Sequence, residues 1–102
     1  MSFTHSNGRN HIYRLRRTRG LGQKQLARLL GYRGTSTLSR VETGSTLPSL
    51  KVALLMEIVL GARLSEIYID LYAQLQRQAL RRSATLPHAL ARHIRGRVLG
   101  TD

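Results

Sequence analysis

Apolar residues along this chain recur at spacings of three and four, the period of helices that each bury one face. Ile12 and Leu15 share the inner face of a first helix that begins near Asn10, and Gly20 ends it. A second helix runs from about Gln23 to Leu30, with Leu26, Ala27 and Leu30 as its inner stripe and Gly31 as its stop. Residues 32–34 turn the chain. A third helix spans roughly 35–43. Its Leu38 and Val41 point inward and leave Thr35, Ser36, Ser39 and Arg40 nearer solvent. Two short helices joined by a glycine-containing turn, the second opening on hydroxyl residues, have the layout of a helix-turn-helix.

The rest of the chain continues the helical pattern. Residues 44–48 form a loop, and the Ser49 hydroxyl offers an N-cap to a fourth helix over 50–60, which Gly61 ends. A fifth helix is expected over 64–82. Its apolar positions Leu64, Ile67, Tyr68, Leu71, Tyr72, Leu75 and Ala79 form a wide amphipathic stripe. Residues 83–85 break it, and Pro87 suits the first turn of a last helix that aligns Leu90, Ile94 and Val98. There is no strand-like alternation, so the expected fold class is all-α.

Charge sharpens this picture. The formal net charge is +12, and fifteen of the seventeen basic residues are Arg, which grips phosphates and guanine edges bidentately. Residues 1–41 hold nine basic residues and no acid, so a polyanion is the expected partner. Aromatic residues, at 5%, are too few for the stacking platforms that single-stranded nucleic acids require. Cysteine is absent, which excludes disulfides, thiol catalysis and Cys-based zinc sites. The four His residues lack metal-ligand spacing, the five acids are scattered, and the serines have no nucleophile-elbow context. The expectation is therefore no enzyme, no cofactor and no metal. The longest apolar stretch, 52–60, is too short to span a bilayer, and the first ten residues hold no hydrophobic signal region. A soluble, cytoplasmic protein with no membrane partner is expected.

One ordered set of residues goes further. It comprises Leu15-Arg16, Arg19-Gly20-Leu21, Gln23, Leu26-Ala27, Leu30-Gly31, Thr37 to Glu42, Gly44, Pro48-Ser49-Leu50, Leu60-Gly61 and Leu64 to Tyr68. Over about residues 10–69 the chain resembles the Cro/CI-type (Xre family) helix-turn-helix DNA-binding domain. The resemblance implies a compact five-helix, lambda-repressor-like domain over 10–69. A flexible segment, 1–9, would precede it, and a helical extension, 70–102, would follow. It also implies an ion pair between Arg16 and Glu42, either buried or a solvated surface pair. Three positions depart from the family pattern: the turn from Gly31 to Thr37 is one residue longer, Gly22 replaces a capping Ser or Thr, and Arg63 replaces a small capping residue.

Carried over by position, the base-contact candidates are Thr35, Ser36, Ser39 and Arg40, with Arg33 in the lengthened turn. Arg40 suits bidentate pairing with guanine, and equally a phosphate. The Thr35 and Ser36 hydroxyls can meet DNA or cap the helix. Gln23, at the start of the second helix, is a phosphate-contact candidate or an ordinary exposed residue. Lys24, Arg14, Arg17, Arg28, Thr46 and Lys51 are further phosphate-contact candidates. Such contacts position a domain and supply salt-dependent affinity, while base contacts read sequence.

Beyond residue 69 the resemblance is silent. Tyr68, Leu71, Tyr72 and Leu75, with Leu90, Ile94 and Val98, present more apolar surface than a small domain leaves exposed. They form either a two-fold dimer interface or the seam of a last helix folded back within one chain. The arginines of the tail are a second cluster, for DNA, for an acidic protein, or merely solvated. The expected function is a sequence-specific double-stranded DNA-binding transcriptional regulator. It would be a repressor of bacterial or phage type, acting as a homodimer on a palindromic operator, and about 33 residues past the core leave no room for a small-molecule sensor. The alternatives are an antitoxin-like or anti-regulator protein whose C-terminal helices bind a protein partner, and a sequence-neutral nucleic-acid binder.

Overall fold

The computed structural model describes residues 8–100, and every regular element among them is a helix. In order these are α1 (Ile12–Thr18), α2 (Gln23–Leu29), α3 (Thr35–Glu42), α4 (Leu50–Leu60), α5 (Leu64–Ile67), α6 (Ile69–Ser83) and α7 (His88–Leu99). Among the described residues, no helix is long and apolar enough to cross a membrane. Contacts divide the chain into two compact units whose boundary falls between Leu71 and Tyr72, inside α6.

The core of the first unit takes one stripe from each helix. Ile12 comes from α1, Leu26 and Ala27 from α2, Leu38 and Val41 from α3, and Ala53, Met56 and Leu60 from α4, with Leu30, Ile67 and Tyr68 completing it. Full burial of each large side chain contributes about 1.5–3 kcal/mol. Helices α2 and α3 make the most extensive helix–helix contact. The turn between them opens on Gly31, whose φ of 87° lies in the left-handed region. Gly31 N–H donates to Arg28 O and Tyr32 N–H to Ala27 O, which together close α2 with a Schellman motif.

Two positions that lack the usual capping side chain are capped from within. Gln25 Oε1 accepts from Gly22 N–H at 2.7 Å. Glu66 Oε1 accepts from Arg63 N–H at 3.1 Å, and Glu57 Oε2 from the next amide, Leu64 N–H, at 2.8 Å. Ser49 Oγ accepts from Val52 N–H at the start of α4.

Three expectations are corrected. The helix expected over 64–82 is interrupted at Tyr68, whose φ of −115° and ψ of 56° leave the helical region. The cause is distant in sequence: Ile67 O accepts from His11 N–H at 2.9 Å, so it serves the start of α1 instead of a continuous ladder. Tyr68 thereby turns into the core at 6% exposure and is not available to a dimer interface. Its hydroxyl finds no protein partner among the described residues, and burial raises its pKa, with Tyr32 nearby adding to the effect. The N-terminal boundary also moves. Residues 1–7 of the segment expected to be loose lie outside the described residues, but Gly8 is buried against Gly44 and Arg9 pairs with Asp70 at 3.5 Å. Asn10 locks this arrangement, since its Nδ2 donates to Gly8 O and to Val41 O while its Oδ1 accepts from Ile12 N–H. Lastly, Pro87 precedes α7 as its N-cap and does not lie in the first turn.

In the second unit α7 folds back on the last turns of α6. Ser83, the last residue of α6, and Ala91 of α7 are buried, and Ser83 Oγ donates to Leu80 O. An open groove of about 630 Å³ runs along this hairpin, lined by Tyr72, Leu75, Ala79, Ile94 and Val98 among others. Leu90 stays 60% exposed.

The approach of Gly8 to Gly44 admits no side chain. A Cβ on Gly8 would lie 2.7 Å from the Gly44 carbonyl carbon and closer still to its oxygen, both rigid backbone atoms. Gly8→Ala is therefore expected to destabilise the protein by about 1–3 kcal/mol, the range for overpacking. Urea denaturation of the two proteins measures this, and an unchanged midpoint would contradict the packing described.

Candidate nucleic-acid interface

Helix α3 presents one face to the core and one to solvent. Leu38 and Val41 are buried, while Ser36, Ser39, Arg40 and Thr43 are exposed at i, i+3, i+4 and i+7, a continuous outward strip. The helix begins at Thr35 behind Gly34, whose extended backbone serves as N-cap with no side-chain bond. Neither Thr35 nor Ser36 spends its hydroxyl on the cap, so that alternative is not the one the structure takes. Thr35 is half-buried and Ser36 exposed.

Beside this strip lies a concavity of about 290 Å³, formed where α2 meets the turn. It is lined by Lys24, Ala27, Arg28, Tyr32, Arg33, Gly34 and Thr35. The structure thus brings together two phosphate-contact candidates on α2 (Lys24, Arg28), the turn arginine and the first residue of α3. Arg14 and Arg17 do not share this concavity. They are exposed on α1, where Arg17 Nη1 donates to Tyr13 Oη at 3.2 Å. Thr46 and Lys51 are also exposed, on the loop and the first turn that follow α3.

Behind the strip sits an ionic network. Arg16 Nε donates to Glu42 Oε2 at 2.7 Å, and both side chains are only 7% exposed. Arg16 Nη1 donates to Leu21 O at 3.1 Å, and its guanidinium centre lies 5.1 Å from the Tyr13 ring centroid. Gln23 Nε2 donates to Glu42 Oε1 at 3.1 Å. Gln23 is a phosphate-contact candidate through its side-chain amide or its backbone N–H, and of these the side-chain amide is tied to the carboxylate. The network joins α1, the first residue of α2 and the last residue of α3.

Sequence reasoning missed three contributors. Arg19 Nε donates to Leu60 O at 2.8 Å and closes the end of α4. Asn10 holds the carbonyl of Val41. Thr43 extends the outward strip of α3 and could have been found by continuing its i, i+3, i+4 spacing to i+7.

The arrangement of two packed helices, a glycine turn and a polar outward strip has a counterpart among known families. The family profile described as "Helix-turn-helix domain" matches residues 11–66, more than half of the chain. This chain belongs to the helix-turn-helix family. Searches of curated proteins and of solved structures returned no match. As a helix-turn-helix domain it is of a DNA-binding kind, and α3 occupies the position of the helix that enters the major groove.

The buried pair gives this helix-turn-helix a direct test. Glu42→Ala leaves the Arg16 guanidinium buried without its counter-ion and is expected to cost about 3–5 kcal/mol. Replacing both partners at once, Arg16→Met with Glu42→Leu, should recover most of that loss, because apolar groups of similar volume remove the stranded charge. Thermal and urea denaturation of the single and double variants measure both, and an unchanged stability of Glu42→Ala would contradict the network.

Proposed function

We propose that this protein is a sequence-specific regulator of transcription of the Cro/CI (Xre) type, a repressor that binds double-stranded DNA with α3 in the major groove. The observation that carries this reading is the outward strip of α3 beside the basic concavity. Hydroxyls and one guanidinium face out where base edges would lie, and Lys24, Arg28 and Arg33 flank them where phosphates would pass. Arg40 projects from the middle of the strip and reads a guanine through O6 and N7. Lys24, Arg28 and Arg33 hold the backbone, and Thr46 holds it on the far side of α3. The net charge of +12 supports fast, salt-dependent association with a polyanion. Two such domains on a palindrome place their α3 helices about one DNA turn, ~34 Å, apart, so the acting species is a homodimer. The protein acts by occupancy, without catalysis and without a cofactor, in the cytoplasm.

A second reading draws on the α6–α7 groove. Its apolar lining is suited to an apolar helix of another protein, as in an antitoxin-like regulator that both binds DNA and silences a partner.

Selection of bound duplexes from a random library at near-physiological salt tests the first reading. The expected result is an enriched palindrome with spaced half-sites, and recovery of no motif would contradict it. On the selected site, Arg40→Ala should lose about 1–3 kcal/mol of discrimination at one base pair. Uniform weakening on every sequence would instead make Arg40 a phosphate ligand.

A further inference from the structure

Helix α4 is apolar around most of its circumference: Lys51 and Glu57 are the two exceptions in eleven residues. One side supplies Ala53, Met56 and Leu60 to the core. The other leaves Leu50 73%, Leu54 47% and Ile58 76% exposed. Spaced four apart, these three fall within an arc of about 80° and extend about 12 Å along the helix. Leu47, just before the helix, is also half exposed. A helix that is apolar all round normally lies inside a structure, and a contiguous apolar face of this size marks an interaction site.

We propose that this face docks a second copy of the chain, α4 against α4, about a two-fold axis that passes beside Leu54. The inference rests on the dimeric reading above and assigns its surface. Self-association is favoured because the face complements itself in charge. Lys51 and Glu57 stand three residues before and three after Leu54, about 60° to either side of it on the helix. When two α4 helices run in the same direction across the axis, Leu54 meets its own copy. Lys51 then shares a flank with Glu57 of the partner subunit, about 9 Å away along the helix axis and within reach of the two long side chains, and the pair is repeated on the other flank. An isologous interface requires this reciprocity. Lys51 is exposed, and Glu57 bonds Leu64 N–H through Oε2, which leaves Oε1 for a second donor. The stripe between the flanks carries no cation, so a polyanion has nothing to hold there.

The absence of cysteine makes the test clean. Leu54→Cys introduces a single thiol at the axis. Mild oxidation of the full chain without DNA should convert it mainly to a covalent dimer, whereas Leu75→Cys and Leu90→Cys, exposed in the second unit, should remain monomeric. Leu54→Arg brings two like charges together at the axis. It should weaken dimerisation at least tenfold in sedimentation at micromolar protein, while an unchanged far-ultraviolet circular dichroism spectrum and a cooperative melting transition show that the monomer still folds. Crosslinking through Leu75→Cys or Leu90→Cys but not through Leu54→Cys would overturn the assignment, as would a monomer at micromolar concentration with and without DNA. A selected palindrome with no Leu54→Cys crosslink removes this surface and leaves the regulator standing. A crosslink with no selected motif keeps the surface and removes the regulator.

Discussion

The position of α3 depends on one buried guanidinium. Arg16 projects from α1 into an interior site, where Glu42 at the end of α3, Leu21 O before α2 and the ring of Tyr13 surround it. Gln23 from the start of α2 takes the second carboxylate oxygen. Such a pair need add little net stability, because the desolvation of both charges offsets their attraction. Its consequence is positional. A displaced α3 would strand a buried charge, so the three helices hold one relative arrangement. The outward strip of α3 is presented by a frame that resists adjustment.

The chain is rich in arginine, yet its arginines do different work. Arg16 and Arg19 face protein: one is buried with a carboxylate, and the other donates to the last carbonyl of α4. Lys24, Arg28, Arg33 and Arg40 are exposed on α2, the turn and α3. The first pair sets geometry and the second group sets electrostatics. A count of basic residues cannot separate them, but their hydrogen-bond partners can.

Local pattern made the helices legible. The stripes of α1 to α4 follow from spacings of three and four, and the glycine that closes α2 follows from the need for positive φ. Contacts between distant residues were not legible in the same way. The break at Tyr68 arises because Ile67 O serves His11, and no residue near 68 signals it. The approach of Gly8 to Gly44 is invisible in a segment that reads as a polar tail. The link between Gln23 and Glu42 joins positions 19 apart, and the partner of Arg16, 26 residues on, came only from the family resemblance. Helix α4 carries no polar face to mark its outward side, and the structure leaves Leu50, Leu54 and Ile58 exposed.

The surface proposed to meet DNA is α3 with its basic flank. Titration of an isotope-labelled chain with a selected duplex, followed through its backbone amide resonances, tests it most directly. The largest shifts are expected at residues 33–43 and at Lys24 and Arg28, with small shifts across 72–100. Shifts concentrated in the α6–α7 hairpin, with α3 unmoved, would contradict it.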